Sequence, residues 1–210
     1  MTAIAVIAKA PAPGRSKSRL TPPCTPAQAA ALATAALADT LAVVAAVPGA
    51  RRVVVLDGAP GSWLRPGFEV IAQRGAGLAQ RLAAAFADID EPALVVGMDT
   101  PQLTPQMLTH ALAQLAGADA VLGAASDGGY WSIGLRAADD AVFAGVPMSD
   151  GATCDVQRAR LRTLGLMTRE LPVLRDVDDI ADAHAVAALA PRTGFARTLA
   201  ALALPETLAA

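Results

Sequence analysis

The chain has 210 residues and a formal net charge of −2, from 17 basic and 19 acidic side chains. That near-balance argues against broad nucleic-acid binding, and the length sets one domain over 1–210, with a sizeable core, as the default. Hydrophobic residues make up 54% but aromatics only 3%. The apolar content is mostly alanine with Val and Leu, which suits close packing of helices on a sheet.

"AIAVIA" (3–8) is short and apolar and reads as a buried strand. A loop over 9–25 follows, then Thr25 as N-cap with Pro26 at the first helical position of a helix to about Val47. "RRVVVLD" (51–57) and "FEVIAQ" (68–73) are further strands, and "RGAGLAQRLAAAF" turns into a helix ending near Asp88. "PALVVGMD" (92–99) is a fourth strand, followed by a helix from about Pro105 to Ala116. "ADAVLGAA" (118–125) and "YWSIGLR" (130–136) are strands joined by "SDGG". A helix over about 154–164, a strand "LMTRELP", a helix beginning within "DVDDIADAHAVAAL" and a last helix in the tail from Pro191 complete the order. Strands alternating with helices predict βαβ units. The expected fold is a three-layer α/β/α sandwich with a mostly parallel mixed sheet. Ligands of such sheets bind outside the carboxyl ends of the strands. No apolar run without polar interruption approaches a membrane span, and no secretory signal is evident. Cys24 and Cys154 fit no metal spacing and read as free thiols. The compartment expected is the cytoplasm.

Four loops hold the unusual residues. The first gathers Lys9, Gly14, Arg15, Lys17 and Arg19 before any acidic residue occurs; the first is Asp39. Arg15, Lys17 and Arg19 alternate, so an extended segment would project them to one side. Arginine binds phosphate as a planar fork and lysine as a point charge. This is no Walker loop, because the G-x-x-x-x-G-K-[ST] spacing is absent. The second loop is "VVGMDTPQL", where Asp99 follows an apolar strand; it is either a turn aspartate or a ligand of a hard cation such as Mg²⁺. In the third, "SDGGYWSIGL", a tight turn accounts for Asp127, Gly128 and Gly129, and a pocket role for Asp127 stands beside it. Tyr130 and Trp131 should face opposite ways in a strand. In the fourth, "LRDVDDIADAH", a helix cap explains one of Asp176, Asp178 and Asp179 but not all three. His110 and His184 fall in helices and read as non-catalytic.

Together these loops resemble the GT-A (nucleotide-diphospho-sugar transferase) superfamily. More closely they resemble a bacterial family of small candidate glycosyltransferases, whose pattern runs K-A-P-x-P-G-x-x-K-T-R-L, G-x-D-x-P, D-G-G-Y and D-V-D before a helix. Here these stand as "AKAPAPGRSKSRL", "GMDTPQL", "DGGYWSIGL" and "DVDDIAD", in order over about 10 to 180. The resemblance implies that Lys9, Gly14, Arg15, Lys17 and Arg19 wrap the phosphates of a nucleotide, with Gln73 and Arg81 beside them. It implies that Asp99 and Asp178 bind Mg²⁺ or Mn²⁺, and that Asp127, Gly128, Gly129 and Tyr130 lie on the acceptor side. The catalytic set it implies is Asp99, Asp127 and Lys17. The sequence departs from the pattern at Ser18 (usually Thr), Gly77 (usually Asp) and Met148 (usually Trp). The reaction implied is glycosyl transfer from a nucleotide sugar to a small-molecule acceptor. The alternative is nucleotidyl transfer from a nucleoside triphosphate to a phosphorylated small molecule, releasing pyrophosphate. A non-catalytic binding subunit on the same fold is a third reading.

Overall fold

A computed structural model describes residues 1–148, 150–202 and 204. The final residues of the tail after Pro191 lie outside the described residues. The strands are β1 (Ala3–Lys9), β2 (Arg51–Asp57), β3 (Glu69–Ala72), β4 (Ala93–Val96), β5 (Ala120–Ala125), β6 (Tyr130–Leu135) and β7 (Thr168–Leu174). The helices are α1 (Pro26–Ala45), α2 (Leu78–Ile89), α3 (Pro105–Ala116), α4 (Thr153–Thr163), α5 (Ile180–Leu189) and α6 (Gly194–Ala201). One sheet holds the strands in the order β3-β2-β1-β4-β6-β5-β7. Its pairs are parallel except where β6 meets β4 and β5. The fold is thus the expected α/β/α sandwich around a mostly parallel mixed sheet.

Strand periodicity divides the core. Ala3, Ala5, Val53 and Val55 face Leu82 and Phe86 of α2 and Cys154 and Leu161 of α4. Ile4, Val6, Val54 and Leu56 face Leu37, Leu41 and Val44 of α1 and Leu108, Ala111 and Leu115 of α3. Alternate residues of a strand point to opposite faces, so each apolar strand feeds both layers, as doubly covered sheets require. Tyr130 packs with the first cluster and Trp131 with the second, on opposite faces as anticipated.

A third cluster joins α1, α5 and α6 through Leu32, Val186, Phe195 and Leu199. By length and hydropathy alone α1 is long and apolar enough to cross a bilayer, although Asp39 and two threonines fall within it. Half of its apolar window is buried within this fold. Asp39 accepts the first two amides of α6, from Gly194 and Phe195, at 2.9 and 2.7 Å. The start of α1 matches expectation: Thr25 and Gln28 form a reciprocal capping box, with Pro26 following.

Two boundaries differ from the sequence reading. Strand β4 ends at Val96, so Asp99 lies on the loop beyond it and not on the strand. The opening loop is wound and not extended. Arg15 and Ser16 donate back to the Ala12 carbonyl, and Ser18–Leu20 form a single 3-10 turn.

Candidate active site

The carboxyl ends of the parallel strands open onto one edge of the sheet. Strand order reverses between β1 and β4, the point at which such sheets form a crevice. A cavity of about 610 Å³ lies there. Lys9, Arg19, Gln73, Arg81, Asp99, Asp127, Gly129, Tyr130 and Asp178 all line it. A second cavity of about 270 Å³ shares Lys9, Arg19, Met98, Asp99 and Asp178 and adds Arg15 and Lys17. The structure therefore gathers the charged residues singled out from the sequence. Gly14 and Gly128 line neither cavity.

The cations converge because the loop is wound, not because they alternate along an extended segment. Gly14 sits at φ 73° with open space where a Cβ would project, so backbone conformation, not close approach, accounts for the glycine. Lys17 takes the left-handed region at φ 51°, ψ 44°, which costs a residue with a Cβ about 1–2 kcal/mol. That conformation turns its side chain inward, where only 10% of it is exposed. The ammonium lies 2.9 Å from Asp99 Oδ1 and also donates to the Val177 carbonyl. Arg19 reaches Asp178 at 2.7 Å. Among the described residues, Lys9 and Arg15 line the cavities without an ion-pair partner.

Next to these cations, one carboxylate oxygen from each of Asp127, Asp176 and Asp178 lies within 4.8 Å of the others. Asp99 is not in this group; it is paired with Lys17 instead. Burial first, then the charge of Asp127, raises the Asp176 carboxyl to about 6, with Asp178 adding to the effect and Lys17 opposing it. The loops carrying these groups are tied together, since the Val177 amide donates to the Asp99 carbonyl at 3.0 Å. Hard oxygen donors in such a cluster fit Mg²⁺ or Mn²⁺. Thr100, next to Asp99, is 1% exposed, and its hydroxyl has no hydrogen-bond partner among the described residues.

The acceptor-side expectation centres on the β5–β6 turn. Asp127 Oδ1 accepts the Gly129 amide at 2.8 Å. A Cβ on Gly128, at φ 90°, would lie 1.9 Å from the Gly151 carbonyl oxygen. Gly128 is thus held by steric closeness to the segment before α4, and its carbonyl accepts the Cys154 amide. The Tyr130 hydroxyl lies 3.7 Å from Met148 Sδ, and burial pushes its phenol well above the ordinary range. The phenol therefore remains protonated.

Gln73 and Arg81 build the wall under β1 and β2. The Gln73 amide nitrogen donates to the Ala8 and Val55 carbonyls, while its oxygen accepts Arg81 at 3.0 Å. Arg81 also pairs with Asp57 at 3.0 Å, a partner the sequence reading missed. Gly77 caps α2 from extended backbone with open space around its Cβ position. His110 and His184 are exposed on their helices, and both cysteines are free and buried.

The sequence leaves Asp176 surplus to capping, and the resemblance selects Asp178, not Asp176, as the second metal ligand. Asp179 takes the cap of α5, in a box with Asp182. That leaves Asp176 and Asp178, whose alternation in an extended segment places both on one side. This was the available signal.

A family model of uncharacterized proteins conserved in bacteria (DUF2064) matches residues 30–150. The chain belongs to that family. The match excludes the opening cationic loop and the late aspartates. No curated protein matches the chain. Among solved structures, a candidate nucleotide-diphospho-sugar transferase from Desulfovibrio desulfuricans G20 is 27% identical, with a TM-score of 0.84 over 95% of this chain and 92% of that one. CMP:2-keto-3-deoxy-manno-octonic acid synthetase, complexed with CTP, is 13% identical, with a TM-score of 0.59 over 91% of this chain and 98% of that one. Rv0371C from Mycobacterium tuberculosis H37Rv, in complex with manganese, is 21% identical, with a TM-score of 0.55 over 88% and 97%. At these identities the last two likenesses speak for the fold. This DUF2064 chain has the fold of the nucleotide-diphospho-sugar transferases.

Proposed function

We propose that the protein is a metal-dependent transferase that moves a sugar from a nucleotide-diphospho-sugar to a small-molecule acceptor, with the whole chain acting as one domain. The observation that carries this reading is that one crevice brings the cations of the opening loop into contact with a carboxylate cluster, Lys17 with Asp99 and Arg19 with Asp178. The likeness to the Desulfovibrio protein over nearly the whole chain supports it.

In this reading Lys9 and Arg15, which have no ion-pair partner among the described residues, meet the phosphates first, and Lys17 and Arg19 follow. Asp176 and Asp178 of the carboxylate cluster would hold Mg²⁺ or Mn²⁺, joined by Asp99 once Lys17 exchanges that carboxylate for a phosphate. Such an ion supplies charge stabilisation for the departing diphosphate. Asp127 faces the acceptor beside the protonated Tyr130 and takes the proton of the acceptor's hydroxyl group. Gln73 and Arg81 shape the wall against which the nucleoside rests.

The uncommitted Lys9 and Arg15 favour one second reading, nucleotidyl transfer, since a triphosphate brings more charge than a diphosphate-sugar. A thermal-shift panel of nucleoside triphosphates, diphosphates and nucleotide sugars, with and without Mn²⁺, separates the two. A ligand that binds only the folded state raises its melting temperature. Stabilisation by one nucleotide sugar and its diphosphate supports glycosyl transfer. Stabilisation by a triphosphate alone supports the second reading. No metal-dependent shift with any member would defeat both.

A further inference from the structure

Two of the four cations proposed for the phosphates are, in this structure, paired with carboxylates proposed for the metal. Lys17 is paired with Asp99 at 2.9 Å and Arg19 with Asp178 at 2.7 Å. Lys17 is the more committed of the two. It is nearly buried, holds a left-handed backbone that few residues with a Cβ adopt, and is fixed by the Val177 carbonyl as well. From this juxtaposition, and resting on the proposed function, we infer that the Lys17 ammonium stands in for the metal's charge until a metal binds. The species the site takes is therefore a divalent metal–nucleotide chelate, and free metal is held off.

The argument is one of charge replacement. A free dication approaching Asp99 meets an ammonium already within ion-pair distance, and both cations cannot share that carboxylate without repulsion. A chelate brings its own phosphate oxygens. As the ion takes Asp99, Lys17 transfers to a phosphate and keeps an anionic partner, and Arg19 makes the same exchange from Asp178. Neither cation is left unpaired, which for the little-exposed Lys17 would be costly. Metal and nucleotide consequently strengthen each other's binding, and by linkage they do so equally.

The consequence is unusual in sign. Replacing Lys17 should weaken nucleotide binding and at the same time tighten binding of metal alone. A substitution that merely disturbed the loop would weaken both. The test titrates Mn²⁺ alone into wild type, Lys17→Met and Arg19→Met, reading free Mn²⁺ by electron paramagnetic resonance, with circular dichroism to confirm folding. Lys17→Met should bind Mn²⁺ about tenfold more tightly or better, removal of one close like charge being an effect of this order. Arg19→Met, whose side chain is 71% exposed, should gain less. It carries the test if Lys17→Met does not fold. Mn²⁺ affinity that is unchanged or weaker in the folded variants overturns the inference while leaving the transferase reading intact. No Mn²⁺ binding by any of the three proteins overturns the metal reading and this inference with it.

Discussion

The Asp176 carboxyl gives a stability measurement whose sign is fixed by the structure. Its ordinary value of 3.8 is raised to about 6, by burial first and by Asp127 next. Between those values the folded chain binds more protons than the unfolded one, so stability falls as pH rises from about 3.8 to about 6 and then levels off. Two units would correspond to ~3 kcal/mol. Asp176 is only about half-buried, and solvent screening reduces this to about 1 kcal/mol. Asp176→Asn keeps the shape and removes the charge. The variant should match wild type near pH 3.5 and exceed it by about 1 kcal/mol at pH 7.5, which for a chain of this size is roughly 2–4 °C in melting temperature. Urea unfolding at the two pH values, without metal, supplies the measurement. An advantage for the variant that is the same at both pH values would mean that packing, not ionisation, is responsible. A variant less stable at pH 7.5 would refute the account of the cluster as mutually repelling carboxylates. With Mn²⁺ present the ranking should reverse, because only wild type retains all three oxygen donors.

Two other substitutions test separate parts of the structure. Asp99→Asn should lower transferase turnover at least about 100-fold, the scale on which removing a group that stabilises transition-state charge acts. Its melting temperature should fall by about 2–4 °C or more, because the Lys17 ammonium that loses its carboxylate is little exposed; full turnover would remove Asp99 from the chemistry. Gly128→Ala places a Cβ 1.9 Å from the Gly151 carbonyl at φ 90°, and should cost about 3 kcal/mol or more. Gly14→Ala, at φ 73° with open space, should cost only about 1–2 kcal/mol. Equal losses in chemical denaturation would show that backbone conformation alone constrains the turn.

Much of the architecture was written locally. Apolar strands alternating with amphipathic helices, the Thr25–Pro26 helix start and the Asp-Gly-Gly turn each depend on neighbours within a few residues. Their positions came out within a few residues of the observed bounds. The motif loops also lie at the sheet's carboxyl edge, because each follows the carboxyl end of one of the mutually parallel strands β1, β4, β5 and β7. Where the local argument assumed a conformation, it failed. The Arg15–Lys17–Arg19 alternation presupposed an extended loop, and back-bonding to Ala12 and the 3-10 turn wound it instead.

Pairing across the chain was not legible. Lys17 and Val177 lie 160 positions apart, and Arg19 and Asp178 lie 159 apart. Nothing in either segment's composition names the other. The sequence by itself determined which residue types stand at the ends of the strands, because burial periodicity and turn chemistry are short-range. Only the tertiary structure decided which of them meet: Asp99 with Lys17, and Asp176 with Asp127 and Asp178. Strand order sets those neighbours, and strand order is chosen by the packing of the whole sheet.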